Sequence, residues 1–257
     1  MMKLVYAGER EFHIGTKKGE VGRYVILPGD PGRCEKIAAH LGNARKVAEN
    51  REYVTYTGEL GGVAVSVTST GIGGPSTAIA VEELIHCGAD TFIRVGTSGG
   101  MQTEVEGGHC VIATGAIRAE GTTREYAPYA FPAVADFYVT DALRKGAERL
   151  RIPHHLGVVH SKDNFYGQHD PASMPVGGML KEEWEAWCRL GAKCSEMESA
   201  SLFIVAAARR VRAGAVFLVI ANQTRREQGF EDRQVYDTEL PIRIAVEGIR
   251  ELIGRDK

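Results

Sequence analysis

Short apolar runs that end in glycine clusters and hand over to helical spacing constrain this chain more than any other feature. Val25-Ile26-Leu27 runs straight into Pro28-Gly29-Asp30-Pro31-Gly32-Arg33, after which Cys34, Ile37, Ala38 and Leu41 recur at helical intervals. Tyr53 to Leu60 and Val63 to Thr70 are β-rich segments joined by Gly61-Gly62, the signature of a hairpin. Gly71-Ile72-Gly73-Gly74 then leads into a helix with Pro75 near its first position and Gly88 as its stop. Thr91 to Val95 is a further buried strand followed by a Gly96-Thr97-Ser98-Gly99-Gly100 loop. Later patterns predict strands over 110–114, 156–160 and 214–220, with helices over about 140–150, 181–190, 197–210 and 238–253. Strands that alternate with helices imply an α/β fold with a mixed, mostly parallel central sheet covered on both faces. No repeat, Pro-rich linker or low-complexity tract interrupts residues 1–257, so one domain is expected.

Composition narrows the function. With 44% hydrophobic and 25% charged residues the chain falls in the globular range. Lys plus Arg at 31 against Asp plus Glu at 33 leaves a net charge of -2, so no general basic field draws nucleic acid or an anionic membrane. Any bound anion must be caught locally. The five cysteines are scattered and lack CxxC spacing, which argues against a disulfide framework or a zinc site and for a reducing cytoplasm. Neither a signal peptide nor an uncharged apolar stretch of membrane-spanning length is apparent.

Arg94 is the strongest local anomaly, because a guanidinium inside an apolar strand keeps its charge and needs an anion or a network of acceptors. An internal Arg–carboxylate pair and a bound ligand are both open at this point. Arg33, after the first glycine loop, and Arg51, in Asn50-Arg51-Glu52-Tyr53, supply further cations that together suit a phosphate. No glycine loop matches GxxxxGK[ST] or GxGxxG, so triphosphate and dinucleotide sites are poorly supported. Gly71 to Gly74 could equally serve a tight turn that needs positive φ. Glu196-Met197-Glu198 opens an apolar helix, as capping acids or as acceptors for sugar hydroxyls beside a methionine packed on the sugar. Phe165-Tyr166-Gly167-Gln168, in a polar loop, offers an aromatic face and an amide that can pair with a heterocycle. The histidines show no HExxH or related ligand spacing.

Taken in order, His13-Ile14-Gly15, Gly29 to Arg33, Asn50 to Tyr53, Thr70 to Ser76, Arg94 to Thr97 and Glu196 to Ser199 resemble the uridine branch of the hexameric nucleoside phosphorylase family. The resemblance covers nearly the whole chain. It implies a single-domain three-layer α/β/α fold, a trimer of dimers and active sites shared across a dimer interface. It implies that Gly29, Arg33, Arg94 and Thr97 bind phosphate, with Arg51 reaching into the neighbouring subunit's site. Glu196, Met197 and Glu198 are then the ribose contacts, and His13 approaches the 5′-hydroxyl across the interface. Phe165 and Gln168 match the base-stacking and base-reading positions, with Ser195 and Gln223 also in the base pocket. Glu52, Ile72 and Ser76 resemble an interfacial potassium site of some members.

The chain departs from that pattern where the base is chosen. An arginine expected two residues beyond Gln168 is Asp170, with the loop one residue shorter before Gly167. A second, expected after Asn222, is Gln223, and the usual aromatic before Glu-Met-Glu is Ser195. Arg225 and Arg226 are candidates to replace the lost donors. The resemblance implies reversible phosphorolysis of uridine, catalysed by Arg94, Glu198 and Gln168, with inorganic phosphate as co-substrate and no cofactor needed for the chemistry. The alternatives are a purine nucleoside phosphorylase, for which the emptied base pocket leaves room, a hydrolase that uses water, and an inert nucleoside-binding module.

Overall fold

The computed structural model describes residues 10–257, so the first nine residues of the expected 1–257 domain lie outside the described residues. The elements are β1 (Tyr24–Pro28), α1 (Gly32–Ala38), β2 (Gly42–Asn50), β3 (Tyr53–Leu60), β4 (Val63–Thr68), α2 (Gly74–His86), β5 (Thr91–Gly100) and β6 (Cys110–Ala119). They continue with β7 (Ala133–Val134), α3 (Phe137–Arg149), β8 (His154–Lys162), α4 (Phe165–His169), α5 (Gly177–Arg189), β9 (Cys194–Glu196), α6 (Ser199–Arg209), β10 (Arg212–Asn222), α7 (Gln223–Glu227) and α8 (Glu239–Arg255). Among the described residues all strands join one mixed sheet in the order β10-β6-β8-β9-β5-β1-β4-β3-β2, with β7 on β6. Because β10 also pairs with β5, part of the sheet closes into a ring and the rest opens as a wing.

Parallel pairing of β1 with β5, β5 with β10 and β6 with β8 suits strands connected by crossovers. The wing is an antiparallel meander whose predicted hairpin turns at Gly61 and Gly62, both at positive φ (60° and 79°). Side chains alternate across the sheet. Val25 and Leu27 of β1 join a core with Val81 and Leu84 of α2 and Phe203 of α6, while Tyr24 and Ile26 join Ile37, Leu143 and Ile249 from α1, α3 and α8. Both faces are therefore buried, which explains why this strand lacks polar alternation. Arg94, two residues after Phe92, shares the face that looks toward α6.

Three local expectations change. Gly96 to Gly100 is not a loop but the second half of β5, paired with β10 and, at its end, with β9. Its glycines serve close approach: a Cβ on Gly96 would stand 2.7 Å from Cδ1 of Phe217, and one on Gly100 would stand 2.5 Å from Nδ2 of Asn222. Phe165 to Gln168 belongs to a short helix, capped by the Asn164 side chain accepting from the Gly167 amide. Finally, β2 is a nine-residue edge strand, polar and largely exposed, so no apolar period announced it. The ends of β1, β5, β8 and β10 surround one cavity.

Candidate active site

That cavity is about 750 Å³, ample for a ligand of drug size. Gly29, Arg33, Arg94 and Thr97, the residues expected to hold phosphate, all line it. Backbone bonds from Thr70 to Pro28 (2.9 Å) and from Gly71 to Gly29 (3.0 Å) tie the α2 entry loop to the end of β1. Positive φ at Gly71 and Gly73 (67° and 92°) lets that loop turn, and the Gly73 amide donates to Oε1 of Glu198 at 2.7 Å. Both readings of the glycines thus apply: they make a turn, and the turn holds a cavity residue.

Arg94 is 5% exposed; it donates through Nη2 to Oε2 of Glu198 at 2.5 Å and through Nη1 to Oγ1 of Thr70 at 3.1 Å. The internal carboxylate partner that the sequence left open is therefore present, and it is the cavity carboxylate Glu198. The Arg94 Nε–H is buried without an acceptor. Burial lowers the pKa of Arg33, and the charge of Arg94 adds to the shift against the opposing pull of Asp30 and Glu198. Two guanidinium groups near each other make a strong local field for an anion. Gly29 suits this close packing, since a Cβ there would crowd Nη2 of Arg94 at 3.2 Å and the Gly71 carbonyl at 3.1 Å.

Met197 and Glu198 also line the cavity. Glu196 lines it too, but its oxygens accept from the amides of Glu198 (2.9 Å) and Ser199 (3.0 Å) and from the Ser161 hydroxyl. It caps the start of α6, the capping role that the sequence left as one of two. Burial pushes its carboxyl upward, and the Glu198 charge pushes the same way.

Phe165, Gln168, Ser195 and Gln223 line the same cavity. Phe165 is half exposed and packs against Tyr166 and His169. The Ser195 hydroxyl donates to Oε1 of Gln168 at 2.8 Å, while Gln223 donates to Glu227 at 2.8 Å and keeps its own amide oxygen buried without a partner. Asp170 is exposed and does not line the cavity. Of the two candidate replacements, Arg225 is held by the Thr103 and Glu231 carbonyls, away from the cavity. Arg226 lines it but is 64% exposed and pairs with Asp232 at 3.1 Å.

Sequence reasoning missed Lys162, which closes β8, lines the cavity and is 8% exposed. The local signal was weak, for Lys162 sits in a polar run, His160 to Asn164, unlike Arg94 between Ile93 and Val95. Of the residues expected at the phosphate, ribose and base, two stay outside this cavity. Arg51 lies in the turn between β2 and β3 with its guanidinium 5.8 Å from the Phe12 ring centroid. His13 bonds Glu83 through Nδ1 at 2.6 Å.

Fold and cavity define a class: an α/β enzyme whose pocket joins paired guanidiniums to a carboxylate, a methionine and an aromatic–amide wall. The chain belongs to the phosphorylase superfamily, whose sequence profile matches residues 23–240. It is 63% identical over 255 residues to a uridine phosphorylase of Treponema pallidum (strain Nichols), covering 99% of each chain. A uridine phosphorylase of Thermococcus kodakarensis is 47% identical, with 85% of this chain and 80% of that protein covered. One from Klebsiella aerogenes is 42% identical, with 94% and 98% covered.

Proposed function

We propose that the chain catalyses reversible phosphorolysis of uridine, giving uracil and ribose 1-phosphate. The names of its relatives support the substrate, and the pairing of Arg94 with Glu198 inside a cavity that Arg33 also lines carries the chemistry. Breaking the N-glycosidic bond develops oxocarbenium character on the sugar and negative charge on the base. Catalysis then needs an anion fixed on one side and donors on the other. We assign Arg33, Arg94, Thr97 and the Gly29 loop to phosphate. Glu198, braced by Arg94 and the Gly73 amide, accepts from the sugar hydroxyls with Met197 beside it. Glu196 then acts one step back, by fixing the chain that carries Glu198. Phe165 stacks on the base, and Gln168, Ser195 and Gln223 meet its edge.

The remaining assignments extend this reading. Arg51 and His13, which do not line the cavity of their own protomer, serve a neighbour's site in a hexamer built from dimers. The described residues form one domain, in the cytoplasm, as the scattered cysteines suggest. Glu52, the Ile72 carbonyl and Ser76 offer hard oxygen donors of the type an alkali cation takes, and Ser76 Oγ lies 3.1 Å from that carbonyl. A potassium ion there would brace the loop and take no part in bond cleavage.

The test is a panel of uridine, thymidine, inosine and adenosine with and without saturating phosphate. Uracil release from uridine only in the presence of phosphate is the expected result. Full cleavage in phosphate-free buffer would establish a hydrolase, preference for inosine a purine enzyme, and binding without turnover an inert module.

A further inference from the structure

Lys162 is a buried ammonium with unspent donors. Its Nζ donates to the Ser195 hydroxyl at 2.7 Å, and among the described residues it forms no ion pair. An ammonium carries three donors and no acceptor, so two N–H bonds are left over. The carboxylates that favour its charge are Glu196 and Glu198, and both are engaged elsewhere: Glu196 by the α6 amides and Ser161, Glu198 by Arg94 and Gly73. An unpaired buried cation is costly, and a fold that keeps one in a cavity wall points to a ligand with negative charge. Neither Arg225 nor Arg226 competes for this task, the first being bound to backbone carbonyls and the second solvated and paired.

The neighbours of Lys162 show which part of a ligand it meets. Nζ donates to Ser195 Oγ, and Ser195 donates in turn to Oε1 of Gln168. The amide nitrogen of Gln168 therefore points away from that pair, toward the glycine backbone of β5, where a Cβ on Gly99 would lie 3.8 Å from it. Lys162 thus belongs to the amide-and-aromatic wall and not to the guanidinium pair. We infer that Lys162 is the cationic donor to the departing base, its ammonium meeting an oxo group on the base and balancing the charge that gathers there as the glycosidic bond breaks. This rests on the phosphorolysis reading. In the step, the electron pair of the C1′–N bond passes to the base and a phosphate oxygen bonds C1′. The proton that hydrogen phosphate gives up on forming the ester ends on the base nitrogen. Lys162 keeps its own proton throughout.

Burial lowers the Lys162 pKa to about 8. The groups around it are His160 on β8, pushed down to about 3, His169 on α4, also lowered, Cys194 on β9, pushed up to about 12, and the carboxylates Glu196 and Glu198. The charged form that the step needs is complete below pH 8 and is lost above it.

Steady-state kinetics of wild type, Lys162→Met and Lys162→Arg with uridine and 5-fluorouridine, at saturating phosphate and over pH 6–10, test the assignment. Lys162→Met is expected to lower kcat on uridine about 10²-fold, in the range for removing one such donor. The loss on 5-fluorouridine should be at least about tenfold smaller, because its base leaves more readily and needs less help. Lys162→Arg should keep most activity at pH 7 and lose the alkaline fall, since arginine does not titrate there. Equal losses on the two nucleosides in a folded variant, or wild-type kcat in Lys162→Met, would overturn it. Wild type is the control for the reaction itself: if it cleaves neither nucleoside with phosphate, the phosphorolysis reading fails first.

Discussion

Arg94 and Lys162 are the same device put to different uses. Each is a cation carried on a strand, Arg94 within β5 and Lys162 at the end of β8, buried and lining the same cavity. Arg94 is fixed by a carboxylate and a hydroxyl through its planar fork, whereas Lys162 touches a single serine and keeps its charge unpaired. The difference follows from what each end must do. A guanidinium network can be organised before an anion arrives and hold it in one geometry. A base that becomes charged only as the bond breaks is better met by a point charge with free donors. Pairing that charge beforehand would cancel it.

The largest effect should come from breaking the organised end. Arg94→Ala leaves Glu198 buried without its cation and removes a phosphate donor, so kcat/KM for phosphate is expected to fall about 10³-fold or more. Size-exclusion chromatography should show the assembly unchanged; a variant with near wild-type phosphate kinetics would remove Arg94 from the site. A subtler break is Gly29→Ala, whose new Cβ would press on the guanidinium from 3.2 Å and on the Gly71 carbonyl from 3.1 Å. Displacement by a fraction of an ångström should raise the KM for phosphate about tenfold while the uridine KM moves little.

Stability sharpens the contrast, because the two cations should have opposite signs. Lys162 falls from 10.5 to about 8 on folding through burial. Between those pH values the unfolded chain binds the extra proton, so wild-type stability should rise with pH across that window, and below pH 8 the full cost is present. At 1.36 kcal/mol per unit that cost is roughly 3 kcal/mol. Lys162→Met should therefore be more stable than wild type at pH 7 in urea unfolding, with the gap closing by pH 10, even as it loses activity. Equal stability at both pH values would mean that the ammonium is better solvated than its burial suggests.

The same contrast explains what could be read from residues alone. Strands β1 and β5 and helix α2 were legible because apolar runs, a Pro start and a Gly stop are local signals. Arg94 stood out because charge in apolar surroundings is conspicuous in one dimension, Arg33 because it follows a glycine loop, and Glu198 because it opens an apolar helix. What stayed hidden depended on contacts between distant segments. Glycines 96, 99 and 100 looked like a loop, yet close approach between strands, at Gly96 by Phe217 and at Gly100 by Asn222, is what keeps that stretch in β5. Glu196 and Glu198, two residues apart, divide into a helix cap and a cavity acid only once Ser161 and Arg94 are brought to them. Lys162 falls beyond the strand predicted over 156–160, and nothing local shows that it packs beside α4 and β9.

Asp170→Arg, the smallest expected effect, separates a pocket that lacks a donor from one that has moved it. Reading the chain alone, an arginine restored there should raise turnover of pyrimidine nucleosides. In the structure Asp170 ends α4 on the exposed side and does not line the cavity, while Lys162 already reaches the wall from β8. An added arginine would remain in solvent, where a charge contributes little. The uridine kcat of Asp170→Arg should then stay within about twofold of wild type, the range expected of a surface change. In the Lys162→Met background the substitution should fail to restore what was lost, since a solvated guanidinium cannot replace a buried ammonium. Rescue there by tenfold or more would show that α4 can turn its end into the cavity, and that the two ends differ less in design than their burial implies.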